Sequence, residues 1–277
     1  MPVKMKVAFY WVLAVLITFT AIIYQRKTGP TYDKKVKVTI DNQEYKFKLI
    51  RSHGGTDDCK IELSLPNQNV EGVLSYKKYP TNDNWTMVEM GRQNDNLIGV
   101  LPNLPPAGKY EYKITLKKGE QVFPLNDGNS VLIRFKGDVP KAILAPHVIL
   151  MFFAMFLGNV AGIMAIFRHK KYRFYGTLTV IFLFLGGMIL GPLVQKYAFG
   201  ELWAGIPFAW DLTDNKTLLA FIFWVLAFFM NLKKERPVYT IVASIVMLIV
   251  YSIPHSMFGS QLDPETGKVI QGWIQLY

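Results

Sequence analysis

Residues 158–173 read GNVAGIMAIFRHKKYR. The first ten are nearly all apolar or small. The last six carry Arg168, Lys170, Lys171 and Arg173. An apolar run that stops at a short basic cluster reads as a membrane span ending on its cytoplasmic side. The pattern recurs at 231–237, NLKKERP, with Lys233, Lys234 and Arg236.

Five runs long or apolar enough to suggest a span surround these two loops: Val7–Tyr24, Ala142–Phe167, Phe174–Val194, Thr217–Leu232 and Val238–Phe258. The fourth is short, and Pro254 interrupts the fifth. With both basic loops inside, the N-terminus lies inside, led by Lys4 and Lys6. Segment 30–140, loop 195–216 and tail 259–277 then lie outside. The first span reads as an uncleaved signal-anchor, because its apolar run exceeds a normal signal-peptide core and no A-x-A site follows.

The chain of 277 residues carries a net charge of +11 and a single cysteine, Cys59. The cytoplasmic loops and surface lysines account for the charge, which argues against a nucleic-acid role. Haem attachment through CxxCH and structural zinc have no matching motif. Neither do G-x-S-x-G, H-E-x-x-H, P-loop or G-x-G-x-x-G chemistries.

Segment 30–140 changes period. Residues 35–40 (KVKVTI), 45–49 (YKFKL) and 110–116 (YEYKITL) alternate polar and apolar. That spacing of two predicts half-buried strands. Further strands are expected at 59–65, 73–79, 85–90, 97–101, 120–124 and 130–135, separated by turn-forming clusters. The expected architecture is α+β: a signal-anchor helix over 1–29, an extracytoplasmic all-β sandwich of immunoglobulin or fibronectin-III style over 30–140, and a four-helix transmembrane bundle over 141–258. His53 reads as a turn residue, with Asp57 and Asp58 beside it as a weak cation site.

Polar groups inside spans mark function or packing. His147 follows Pro146, and His255 follows Pro254; the topology puts both at a similar depth near the outer face. Two imidazoles so placed suit a b-type haem or another metal, with Met257 as an added soft ligand. The competing reading is histidines at an interface, polar tips toward water. His169, in a basic run, reads as topology charge. Gly158, Asn159 and Gly162 form one small-xxx-small motif, and Gly187 and Gly191 another. Both are expected to pack helices closely, span two on span three or on a partner helix. Met151, Met155 and Met164 read as packing.

The loop 203–217, WAGIPFAWDLTDNKT, joins Trp203, Phe208 and Trp210 to Asp211, Asp214 and Lys216. Helix capping and an aromatic belt explain most of it. Asp211 and Asp214, with Glu201 nearby, are also placed to orient metal-bound histidines or to take a quinol proton. Two functions follow. One is an accessory or assembly subunit that presents the sandwich to an extracytoplasmic or membrane partner. The other is a redox protein holding haem b between His147 and His255, exchanging electrons with quinol. The composition suits a bacterial inner-membrane protein.

Overall fold

The computed structural model describes residues 3–255, 257, 259–263 and 266–270. Residues 256 and 258, expected in the fifth span, lie outside that set, as do 264–265 and 271–277 of the expected tail. The chain is α+β and divides into two compact units. A helical unit comprises Met1–Pro30 and Val139–Gly259, and a β unit comprises Thr31–Asp138 and Ser260–Ile270.

Among the described residues the helical unit has five helices. These are α1 (Val3–Thr28), α2 (Lys141–Ile166), α3 (Tyr172–Phe199), α4 (Leu212–Leu232) and α5 (Pro237–Ser252). The first four are long and apolar enough to cross a membrane, which marks a membrane protein. The expected fifth span is instead a 16-residue apolar helix, rising about 24 Å. It stops where Ile253 turns extended (φ −70°, ψ 123°), because Pro254 disfavours helical geometry in the residue before it.

Three other helices run beyond their expected bounds, α1 by four residues at each end. The polar stretch Leu212–Lys216 belongs to α4, since Asp211 caps its N-terminus: Oδ1 accepts the N–H groups of Thr213 (2.8 Å) and Asp214 (3.3 Å). Helix α3 continues through Pro192 to Phe199 and ends on Gly200 in the left-handed conformation (φ 89°). Its middle, Leu183–Leu190, is π-helical, and Gly191 N–H reaches back five residues to the Gly186 carbonyl.

Helix α2 is central, packing on α1, α3 and α5, and 61% of its apolar window is buried against 22–33% for the other three spans. Large side chains on the remaining surfaces, such as Leu16, Val148, Phe174, Ile222 and Phe229, are exposed. In a hydrocarbon solvent such exposure carries no hydrophobic penalty.

Among the described residues the β unit contains thirteen strands: β1 (Lys34–Ile40), β2 (Gln43–Leu49), β3 (Ser52–Gly54), β4 (Cys59–Ser64), β5 (Glu71–Lys78), β6 (Thr86–Glu89), β7 (Gly91–Gln93), β8 (Asn96–Leu101), β9 (Lys109–Lys118), β10 (Gln121–Pro124), β11 (Val131–Lys136), β12 (Gln261–Leu262) and β13 (Val269–Ile270). One sheet has the order β3-β11-β9-β5-β6, with β10 also on β9; another is β4-β8-β7; β1-β2 and β12-β13 are hairpins. Asp41 and Asn42 both take positive φ (51° and 61°) at the β1–β2 turn, the geometry of a two-residue hairpin loop. Tyr110, Tyr112, Ile114 and Leu116 of β9 are buried, as their alternation predicts. They join Val36, Phe47, Ile61, Leu74, Leu97 and Ile133 in one apolar core fed by strands of three sheets. Burial pushes the Cys59 thiol up to about 11.

Residues 260–270, expected as a tail, belong to the β unit. Leu262 N–H donates to the Ala107 carbonyl (3.1 Å), Lys109 Nζ donates to Gln261 Oε1 (2.9 Å), and Arg134 donates to the Ser260 carbonyl.

Candidate functional site

A cluster of buried polar groups, Asp211, Asp214 and Lys216, lies where α4 begins and α5 ends. Residues 200–211 fold back onto the first turns of α4. Asp214 Oδ2 accepts Ala204 N–H at 2.7 Å, and Asn215 Oδ1 accepts Ile206 N–H at 2.7 Å. Asp211 N–H donates to the Ala204 carbonyl (2.7 Å), and Trp203 Nε1 donates to the Ile206 carbonyl (3.1 Å). Gly205 fits because a Cβ there would meet Asn215 Oδ1 at 2.8 Å and Asp214 Cβ at 3.0 Å. The loop is therefore built by side chains of the helix that follows it.

Lys216 is also buried, and its ammonium donates to the Ile253 carbonyl at 2.7 Å. Gln25 of α1 reaches the same end of α5, with Nε2 at 2.6 Å from the Tyr251 carbonyl and 3.3 Å from that of Ile253. The last carbonyls of a helix lack intrahelical donors. Here α1 and α4 supply them, since Pro254 can donate no N–H. Asp211 exerts an electrostatic pull on Lys216, so a buried cation and a buried carboxylate share this end.

The sequence-predicted residues are placed as follows. His147, on the second turn of α2, has Nδ1 2.9 Å from the Gly186 carbonyl in the π segment of α3. A carbonyl only accepts, so Nδ1 carries the proton and a neutral ring keeps its lone pair on Nε2. His255 is exposed, just past the end of α5, and within electrostatic reach of Lys216 and His147. The Gly186 carbonyl takes Nδ1, while the two carboxylates hold the helix terminus and the loop. Glu201, Phe208 and Trp210 are exposed, consistent with surface or belt positions. Met257 is partly buried. Among the described residues no group of three or more His, Cys, Asp or Glu side chains gathers to hold a metal.

The small-residue motifs pack helices, but the motif of α2, expected against span three, faces α5 and α4, while that of α3 faces α4 and α2. Gly158 lies against Met247 of α5 and Trp224 of α4, and Gly162 against Ser244 of α5. Asn159 bonds across to α1, Nδ2 to Thr18 Oγ1 at 2.9 Å, both groups buried. Gly187 lies over Thr217 of α4 and Met151 of α2, whereas Gly191 is 3.9 Å from the His147 ring. Met155 and Met164 are buried in the apolar clusters.

At the other end, Tyr172 Oη donates to Asn231 Oδ1 (2.7 Å), and Arg236 N–H donates to the same oxygen (2.7 Å). His169 Nδ1 accepts Lys171 N–H at 3.4 Å, and its ring lies edge-on to Tyr10 of α1, centroids 6.2 Å apart. In the β unit His53, expected in a turn, lies in strand β3 opposite Phe135 and bonds the Asp57 carbonyl (2.8 Å), while Asp58 Oδ1 accepts the N–H of Asn103, 45 residues along the chain (2.8 Å). Sequence reading missed Gln25, Thr18 and Asn231. The only available signal was a polar side chain within or just after an apolar run.

Comparison of the chain with protein-family models, curated proteins and solved structures finds no match.

Proposed function

We propose that this protein is an accessory or assembly subunit of a membrane complex. In this reading the helical unit is a scaffold and the β unit binds a protein partner. The observation that carries it is β6, which ends the six-stranded sheet and is exposed at all four residues, Met87 to 71%. Beside it Trp85 is flanked by the ammonium groups of Lys77 and Lys113, 5.6 and 4.9 Å from the ring centroid. An open edge offers unpaired N–H and C=O groups to an added strand. The partner contribution is thus an extended segment, with acidic side chains to meet the two lysines.

Orientation follows the basic loops. Arg168–Arg173 and Lys233–Arg236 face the cytoplasm of a bacterial inner membrane, with the β unit and the start of α4 outside. An immunoglobulin-like sandwich is supported by two separate multi-stranded sheets, β3-β11-β9-β5-β6 and β4-β8-β7, whose buried residues share one apolar core.

The experiment is native electrophoresis of the protein extracted from its own membranes in mild detergent. Co-migration in a larger complex, lost in Met87→Glu, is expected. Migration as a lone chain with or without that change would overturn the reading.

A second reading rests on the Nδ1-anchored ring of His147 near His255. A histidine whose Nδ1–H is held by a carbonyl presents Nε2 to a metal, and a b-type haem between the two imidazoles would use that nitrogen. Such a centre would carry electrons to or from quinol.

A further inference from the structure

A crevice of about 50 Å³ opens between α3 and α4, at the end of the helical unit that carries the basic loops. Gly176 makes it. A Cβ at that position would already touch the Trp224 indole at 3.4 Å, so the glycine leaves the ring flank open. Phe228 and Ala227 extend the apolar wall, and Arg173 lines the same crevice one turn back along α3. The polar groups beneath are paired within the protein: Asn231 Oδ1 is held by Tyr172 and Arg236, and its Nδ2 donates to the Ala227 carbonyl at 2.8 Å.

Arg173 differs. Its Nη2 donates to the Leu232 carbonyl at 2.7 Å, one of five N–H groups on a planar fork suited to phosphate. That bond and the Tyr172–Asn231 bond draw the two basic loops together. Arg168, Lys170, Lys171, Arg173, Lys233, Lys234 and Arg236 stand there against one carboxylate, Glu235. The result is concentrated positive charge beside an apolar slot between two membrane helices.

We propose that this crevice binds an anionic phospholipid, its headgroup phosphate on Arg173 and an acyl chain along the wall of Gly176, Trp224 and Phe228. The net charge of the loops selects anionic over zwitterionic headgroups. The slot requires the chain as well as the phosphate.

The test is native mass spectrometry of the detergent-purified full chain, titrated with phosphatidylglycerol, phosphatidylcholine of the same chains, and inorganic phosphate. Phosphatidylglycerol should bind about tenfold more tightly than phosphatidylcholine, and Arg173→Gln should remove about that factor. Gly176→Leu, which fills the slot, should weaken phosphatidylglycerol as well. The double variant Lys233→Gln/Lys234→Gln changes only exposed side chains, so it reads the charge selection even if Arg173→Gln fails to fold. Equal retention of both lipids, or unchanged binding in the double variant, overturns the proposal. Competition by inorganic phosphate alone would show a free-anion site and overturn it too.

Discussion

The ammonium of Lys216 lies 2.7 Å from the carbonyl of Ile253, joining the start of α4 to the residue that ends α5. A buried cation is costly unless its charge and donors are used. Here it completes a helix end that Pro254 leaves short of a donor. Lys216→Met should destabilise the helical unit by about 1 kcal/mol, the net worth of one bond, because Gln25 still reaches that carbonyl. Because Gln25 shares that acceptor, Lys216→Met and Gln25→Ala should be non-additive. Unfolding midpoints of the single and double variants in one detergent measure this; simple additivity would refute the shared cap.

Asp214 should matter as an acceptor, not as a charge. Asp214→Asn keeps an oxygen for Ala204 N–H, while Asp214→Ala removes it at a cost of about 1–3 kcal/mol. Hydrogen exchange across 203–210 should accelerate in Asp214→Ala and change little in Asp214→Asn. Equal acceleration in both would assign the aspartate a charge-dependent role.

The two glycines of the α2 motif should differ. A methyl group at Gly162 would clash with Ser244 Oγ and Cβ, close to the α5 backbone, whereas at Gly158 it meets the flexible end of Met247 at 2.8 Å. Gly162→Ala should therefore destabilise more than Gly158→Ala, by about 1–3 kcal/mol. Thermal unfolding of both variants decides it; the reverse order would show that the two helices separate freely there.

Burial, with the charge of Arg134, holds Lys109 down at about 8 against an ordinary 10.5. The unfolded chain then binds more protons than the folded one between those values, so this lysine makes stability rise with pH from about 8 upward. Cys59 acts oppositely. Its thiol, raised from 9.0 to about 11, makes stability fall with pH above about 9. The midpoint difference between wild type and Lys109→Met should shift in favour of wild type as pH rises from about 7.5 to 9. A flat difference would mean that the amine is ordinarily solvated. Buried Cys59 should also resist alkylation until the β unit unfolds.

Much of the framework was legible. Apolar runs located the helices because hydrocarbon selects composition over some twenty residues. Alternation located β1, β2 and β9 because a two-sided sheet sorts side chains by face. Helix ends were less legible. The capped polar turn 212–216 resembles a loop, and the third span, expected to end at Val194, continues as α3 to Phe199. Three-residue β3 and β7 are too short to show a period. At the candidate site the residues were readable but their partners were not. His147 meets a carbonyl of α3, Lys216 a carbonyl after α5, and Asp214 an amide. Backbone groups carry no sequence signature, so those pairings exist only in the fold.

The most direct test of the scaffold reading is the absorbance spectrum of the protein purified from haem-replete cells, oxidised and dithionite-reduced, with a metal assay on the same sample. A colourless, metal-free and folded protein is expected if His147 and its neighbours serve packing while the β unit does the binding. A Soret band with sharpened α and β bands on reduction, lost in His147→Ala and His255→Ala, would contradict it and establish the haem reading instead.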